Sequence, residues 1–172
     1  MNYHFRSKHG LILEVVKRMF QPVNERRLRL LDALEARRRP PTVEEILEAL
    51  FRPPLEMVSR QEEGGWVFPR LLTFCFTDPG AYLKPLVEEE FALKTQRFLA
   101  ALQQACPGLS GPEARWRLHF SIGAFIQTAG NPQLLEVTSE GQCKATDPEA
   151  VLKRIVGFCA GGFRAGSGFN SE

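Results

Sequence analysis

The chain is poor in the residues that metal, redox and hydrolytic chemistry require. Its four cysteines, Cys75, Cys106, Cys143 and Cys159, lie far apart, without a Cys-x-x-Cys pair or a histidine at ligand spacing. No metal site is expected, and the four read as free, mostly buried thiols in a reduced, cytoplasmic setting. Histidine is scarce as well: there are three, and two of them, His4 and His9, fall in the first ten residues. That leaves His119 as the one histidine in the body of the chain, and a poised nucleophile or general base with an orienting partner is not legible around it. No apolar run is long enough to span a bilayer, and no signal-peptide pattern opens the chain. Alternating strand patterns, internal repeats and low-complexity tracts are also missing. These absences argue against a membrane protein, a metalloenzyme, a cofactor-dependent enzyme and an all-β fold.

The rest is ordinary for a globular domain: 172 residues, 44% hydrophobic and 24% charged, enough for one sizeable core. The net charge of +2 hides an asymmetry, because residues 1–40 carry ten Lys/Arg against four acids. A basic end on an acidic body suits a protein that meets DNA at one pole. Part of that charge is also explained by helix-face partners such as Glu25–Arg29. Arg37-Arg38-Arg39-Pro40-Pro41 reads as an exposed helix end rather than a nucleic-acid patch.

Helical periodicity recurs throughout. A first helix is expected from Ser7 to Phe20, with Leu11, Ile12, Val15 and Met19 inward, and a second after Pro22 to about Arg38. Thr42-x-x-Glu45 is a capping box for a helix through Phe51 that Pro53-Pro54 kinks or ends. Trp66–Phe76 and Tyr82–Cys106 follow, and Pro107-Gly108 stops the second of these. Ser110 restarts a helix to about Ala129. Asn131–Gly141 is a weakly helical connection, and Asp147-Pro148 opens a final helix ending near Gly166.

Two segments carry a resemblance. Tyr3-His4-Phe5, followed by Ser7-Lys8 and Leu11, resembles the end of the DNA-reading unit of TetR-family transcription repressors. From Phe68 onward, Arg70-Leu71-Leu72, Phe74–Phe76, Tyr82-Leu83-x-x-Leu86, Trp116–Phe120 with Gly123-Ala124, and Phe158–Ala165 resemble the ligand domains of the fatty-acid-responsive branch. The resemblance implies an all-α, TetR-like helical bundle that dimerises through a four-helix bundle. It also implies that residues 1–20 are a remnant of the DNA-binding domain, with Tyr3, His4 and Lys8 as its DNA contacts, and that residues 21–172 form the ligand-binding and dimerisation domain. Operator DNA is then a partner of a longer form only.

Within this frame no catalytic residue and no cofactor are expected. The effector is expected to be a small apolar, acyl compound. Its contacts would be Phe51, Met57, Phe74, Phe91 and Phe120, with Arg70, Arg117 or His119 at the polar end. Aromatics on several helices can line a tunnel, although any one of them can equally be core. A buried Arg70 or Arg117 must meet a ligand anion or a protein carboxylate such as Glu113. The expected homodimer contacts are Trp116, Gly123, Ile155, Cys159, Gly162 and Phe163. The competing readings are a stand-alone small-molecule binding protein and a small enzyme using His119.

Overall fold

The computed structural model describes residues 8–59 and 92–166, and these form six helices with no strand among them. They are α1 (Lys8–Glu35), α2 (Val43–Ser59), α3 (Leu93–Ala105), α4 (Gly111–Gly130), α5 (Pro132–Thr138) and α6 (Pro148–Arg164). The all-α expectation holds.

The first two expected helices are one. α1 runs through Pro22 without a break, so the expected 20/21 domain boundary falls inside it. A proline within a helix costs about 3 kcal/mol through the lost backbone bond and ring clash. Burial on both sides of Pro22 offsets this: Val16 and Phe20 before it, Val23, Leu31 and Leu34 after it. The inward stripe also differs from the expected one. Leu11 and Val15 are exposed, while Val16 and Phe20 face inward, one residue further round the helix.

Pro40-Pro41 ends the turn after α1, and the capping box opens α2 as the sequence indicates. Glu45 Oε2 accepts from the Thr42 amide at 2.9 Å, and Thr42 Oγ1 accepts from the Glu45 amide at 3.3 Å. α2 is the central helix. Val43, Ile46, Leu47, Ala49, Leu50, Phe51 and Leu55 are all buried, and α2 packs on α1, α3, α4 and, most extensively, α6. It continues through Pro53-Pro54 to Ser59.

That continuation has a visible support. Pro54 has no N–H, so the regular bond back to the Leu50 carbonyl cannot form. Arg27 of α1 supplies the missing donor: its Nε lies 2.7 Å from Leu50 O, and its guanidinium also reaches Asn24 Oδ1 at 3.1 Å. Burial pushes Arg27 down to about 10, because its charge has been taken out of water to reach that carbonyl.

Ion pairs tie the helices at their rims. Arg97 of α3 bridges Asp32 and Glu35 of α1 at 2.7 and 2.6 Å. Arg52 of α2 reaches Glu149 of α6 at 2.5 Å, Arg26 reaches Glu56 at 2.6 Å, and Arg164 pairs with Glu44. Such exposed pairs contribute little individually. Part of the basic charge of residues 1–40 is met by acids of α2, since Arg26 holds Glu56 and Arg37 and Arg39 share Glu45.

Candidate functional site

α4 and α6 carry the features most relevant to function. Ser110 caps α4, its hydroxyl accepting from the Glu113 amide at 3.4 Å. Asp147 caps α6, accepting from the amides of Glu149 and Ala150 at 3.0 and 3.3 Å. Both helices then separate their residues into two faces. The inward face of α4 is Ala114, Arg117, Leu118, Ser121, Phe125 and Ala129; that of α6 is Leu152, Ile155, Val156, Cys159, Ala160 and Phe163.

The outward faces are not purely polar. Trp116 and Phe120 are 57% and 63% exposed and stack at 5.5 Å, and the His119 ring meets Trp116 edge-on at 6.0 Å. On α6, Phe158 is 73% exposed. Around these rings stand Gly123, Gly157, Gly161 and Gly162, where an added Cβ would meet nothing within 4 Å. Each helical glycine costs about 1 kcal/mol against alanine. Among the described residues, nothing in the chain's own packing uses the space they leave. Large exposed rings beside bare backbone on two neighbouring helices form an apolar face that water alone does not suit.

The expected dimer residues therefore divide. Trp116, Gly123 and Gly162 lie on the exposed face, whereas Ile155, Cys159 and Phe163 are buried in the chain's own core. Ile155, Cys159 and Phe163 belong to the more hydrophobic stripe of α6, and hydrophobicity goes first to the core. Phe158, at i,i+4 spacing from Arg154 and Gly162, lies on the opposite, exposed face. Burial and the surrounding apolar groups push the Cys159 thiol up, opposed by its hydrogen bond with Ser121.

The expected ligand contacts separate as well. Phe51 is buried and stacks on Phe125 at 5.0 Å, and Met57 is half-buried near the end of α2. Arg117 is 9% exposed and engaged by protein at Nε and Nη1. Its Nε pairs with Glu113 at 2.8 Å, and its Nη1 donates to the carbonyls of Gly162, Phe163 and Ala165 at 2.8, 3.1 and 2.6 Å. These are carbonyls at the end of α6, which lack partners within the helix, so Arg117 is a C-terminal cap. His119 and Phe120 sit on the exposed face, away from the core position of Phe51. Arg117, His119 and Phe120 thus do not converge with Phe51. Arg70, Phe74 and Phe91 lie outside the described residues, as do Tyr3 and His4; Lys8 opens α1, but its side chain is also outside them.

A groove that sequence reading missed opens between α4, α5, the loop after α5 and α6. It encloses about 540 Å³, with Ala124, Leu135, Val151, Ile155 and Phe158 as its apolar lining. The available signal was α5 itself, whose Leu134, Leu135 and Val137 are all exposed. The loop turns back through positive φ at Glu140 and Gly141 (52° and 78°). Cys143 on this loop is exposed, against the expectation of mostly buried thiols; Cys106 is half-buried and Cys159 buried. Among the described residues no cluster of His, Cys, Asp and Glu could hold a metal, and no helix is long and apolar enough to cross a membrane.

Residues 48–162 match the family model described as tetracyclin repressor-like, C-terminal domain. That span runs from the middle of α2 to the end of α6 and includes the whole exposed α4–α6 face. Among curated proteins, none matches the chain.

Proposed function

Because the chain belongs to the tetracyclin repressor-like C-terminal domain family, we propose that it is the effector-sensing, dimerising part of a TetR-type repressor whose DNA binding is controlled by a small apolar, acyl ligand. The observation that carries the reading is the outward face of α4 and α6, with Trp116, Phe120 and Phe158 exposed beside bare glycines. A two-fold axis across that face would be self-complementary. On α4 the rings at 116 and 120 occupy one half of the stripe and Gly123 follows them, so an antiparallel copy sets ring against glycine twice. Trp116, Gly123 and Gly162 remain in the proposed interface. Phe120, Phe158 and Gly161 join them, while Ile155, Cys159 and Phe163 support the face from beneath.

The ligand would lie against Phe51 and Met57, with Arg70, Phe74 and Phe91 completing its walls. Arg117 is assigned to the α6 cap instead, and His119 and Phe120 to the dimer face. Ligand binding must favour one arrangement of the two subunits over another to control DNA binding.

Two measurements test the proposal. Sedimentation should give a dimer that Phe158→Lys converts to monomer without loss of helicity; a monomeric native chain removes the interface. Melting temperature should rise along a length series of acyl carboxylates, since each buried methylene adds about 0.8 kcal/mol. That rise should persist in Ala124→Trp, whose new ring fills the groove beside α5, and vanish when Met57→Glu is added to it. A flat series, with a strong shift from a planar aromatic cation instead, removes the acyl assignment.

A further inference from the structure

The groove between α4, α5 and α6 is lined by none of the residues assigned to the effector above. Its volume of about 540 Å³ falls inside the range of small-molecule sites, about 300–1,000 Å³. Its depth is apolar: Ile155 is buried, and Ala124 and Val151 are half-buried. Leu135 and Phe158 extend that surface outward and are themselves 41% and 73% exposed. A site of this size and lining favours a hydrocarbon or aryl body.

The rim adds charge of one sign. Lys144 and Arg154 both border the groove, and no carboxylate contributes to its lining. Lys144 holds Glu136 at 3.2 Å, but both side chains are about half exposed, so water and a competing anion can displace that pair at little cost. Arg154 donates to the Ala150 carbonyl of its own helix at 3.1 Å and has no carboxylate partner among the described residues. A neutral apolar molecule would leave the two cations unused, and a bare inorganic anion would leave the apolar walls wet. An apolar body ending in one anionic group satisfies both.

We infer that this groove is a binding site for an amphiphilic organic anion, its apolar body on Ala124, Val151, Ile155 and Phe158 and its carboxylate or sulfonate between Lys144 and Arg154. Phe158 also belongs to the proposed dimer face, so the occupied groove touches the edge of the subunit contact. The inference goes beyond the effector reading and does not depend on it.

The exposed thiol of Cys143, which borders the groove, is a native reporter. The full chain is treated with a maleimide at several protein concentrations, alone or with decanoate or decanol, and the modified cysteine is located by peptide mapping. Decanoate should slow modification at Cys143 and leave Cys106 unchanged. Nonanoate should protect about fourfold less tightly, the share of one methylene. Arg154→Glu should weaken protection by decanoate about tenfold or more, the loss expected for a charge-assisted hydrogen bond, without altering that by decanol. Met57→Glu should leave all of this intact, which separates the outcome from that of the effector reading. Unchanged Cys143 reactivity with decanoate overturns the inference. So does protection by decanol equal to that by decanoate. Protection that follows protein concentration and ignores decanoate also overturns it, and gives the groove to a second copy of the chain.

Discussion

Replacing Arg27 with methionine should destabilise the protein by an amount that depends on whether residue 54 is proline. In the native chain Arg27 Nε donates to Leu50 O at 2.7 Å, the carbonyl that Pro54 cannot serve. Removing a charged donor from a part-buried carbonyl costs about 1.5–3 kcal/mol. For a protein of this size that is about 3–12 °C in melting temperature, taking about 2–4 °C for each kcal/mol. Methionine keeps much of the arginine's aliphatic packing, so the loss reports mainly on hydrogen bonding. In a Pro54→Ala background the amide of residue 54 can donate to Leu50 O itself. Arg27→Met should then cost at least about 1 kcal/mol less, a coupling well above the 0.3–0.5 kcal/mol scatter of independent sites. The cavity left by the fully buried Pro54 appears in both Pro54→Ala variants and cancels in the cycle. Urea melts of the four proteins at one fixed protein concentration provide the data, since the stability of the proposed dimer would depend on concentration. Additive effects would refute the stitching role of Arg27 and leave the continuation of α2 through two prolines to packing alone.

Arg117→Met should cost about 3 kcal/mol, because it strips the last carbonyls of α6 of a buried partner and leaves Glu113 unpaired; chemical denaturation and amide exchange at residues 162–165 would register it, and an unchanged midpoint would count against the cap. Ile155→Arg should unfold the chain rather than merely split a dimer, since Ile155 is 7% exposed in the monomer's own core; a folded, helical monomer by circular dichroism and light scattering would contradict this. Glu45, hydrogen-bonded by Arg39 and by the Thr42 amide, is held down at about 2 from its ordinary 4.5. A carboxyl with a depressed folded pKa contributes stability above its unfolded value and loses it as the pH falls toward the folded one. The acid limb of a stability–pH curve should therefore decline between about pH 4.5 and 2 and be flatter in Glu45→Gln, and identical curves would exclude the contribution.

Local chemistry made much of this fold legible in advance. Thr42-x-x-Glu45, Ser110 before Pro112 and Asp147 before Pro148 each place a side-chain oxygen over orphan amides within three residues. Their helix starts follow from the chain alone, as does the all-α class. Termination was less legible. Pro22 reads as a break and Pro53-Pro54 as a kink or an end, yet α1 and α2 pass through them, because long-range burial and a donor from another helix replace what proline removes. The choice between two apolar faces on α6 was likewise closed to periodicity: Ile155, Cys159 and Phe163 look as fit for a partner as Gly157, Phe158 and Gly161. Only the packing of α2 against α6 decides that the first set is core and the second is left outside. Arg117 shows the same division. The sequence established that a guanidinium in an apolar helix must find a partner, and named Glu113 among the choices. The antiparallel approach of the end of α6 to the start of α4 decided that its remaining donors meet carbonyls rather than a ligand. Nearest-neighbour chemistry sets where helices begin. Which face is buried, and which charge is satisfied, depends on groups far apart in sequence, 45 residues for Arg117 and the Gly162 carbonyl, and only the folded chain brings them together.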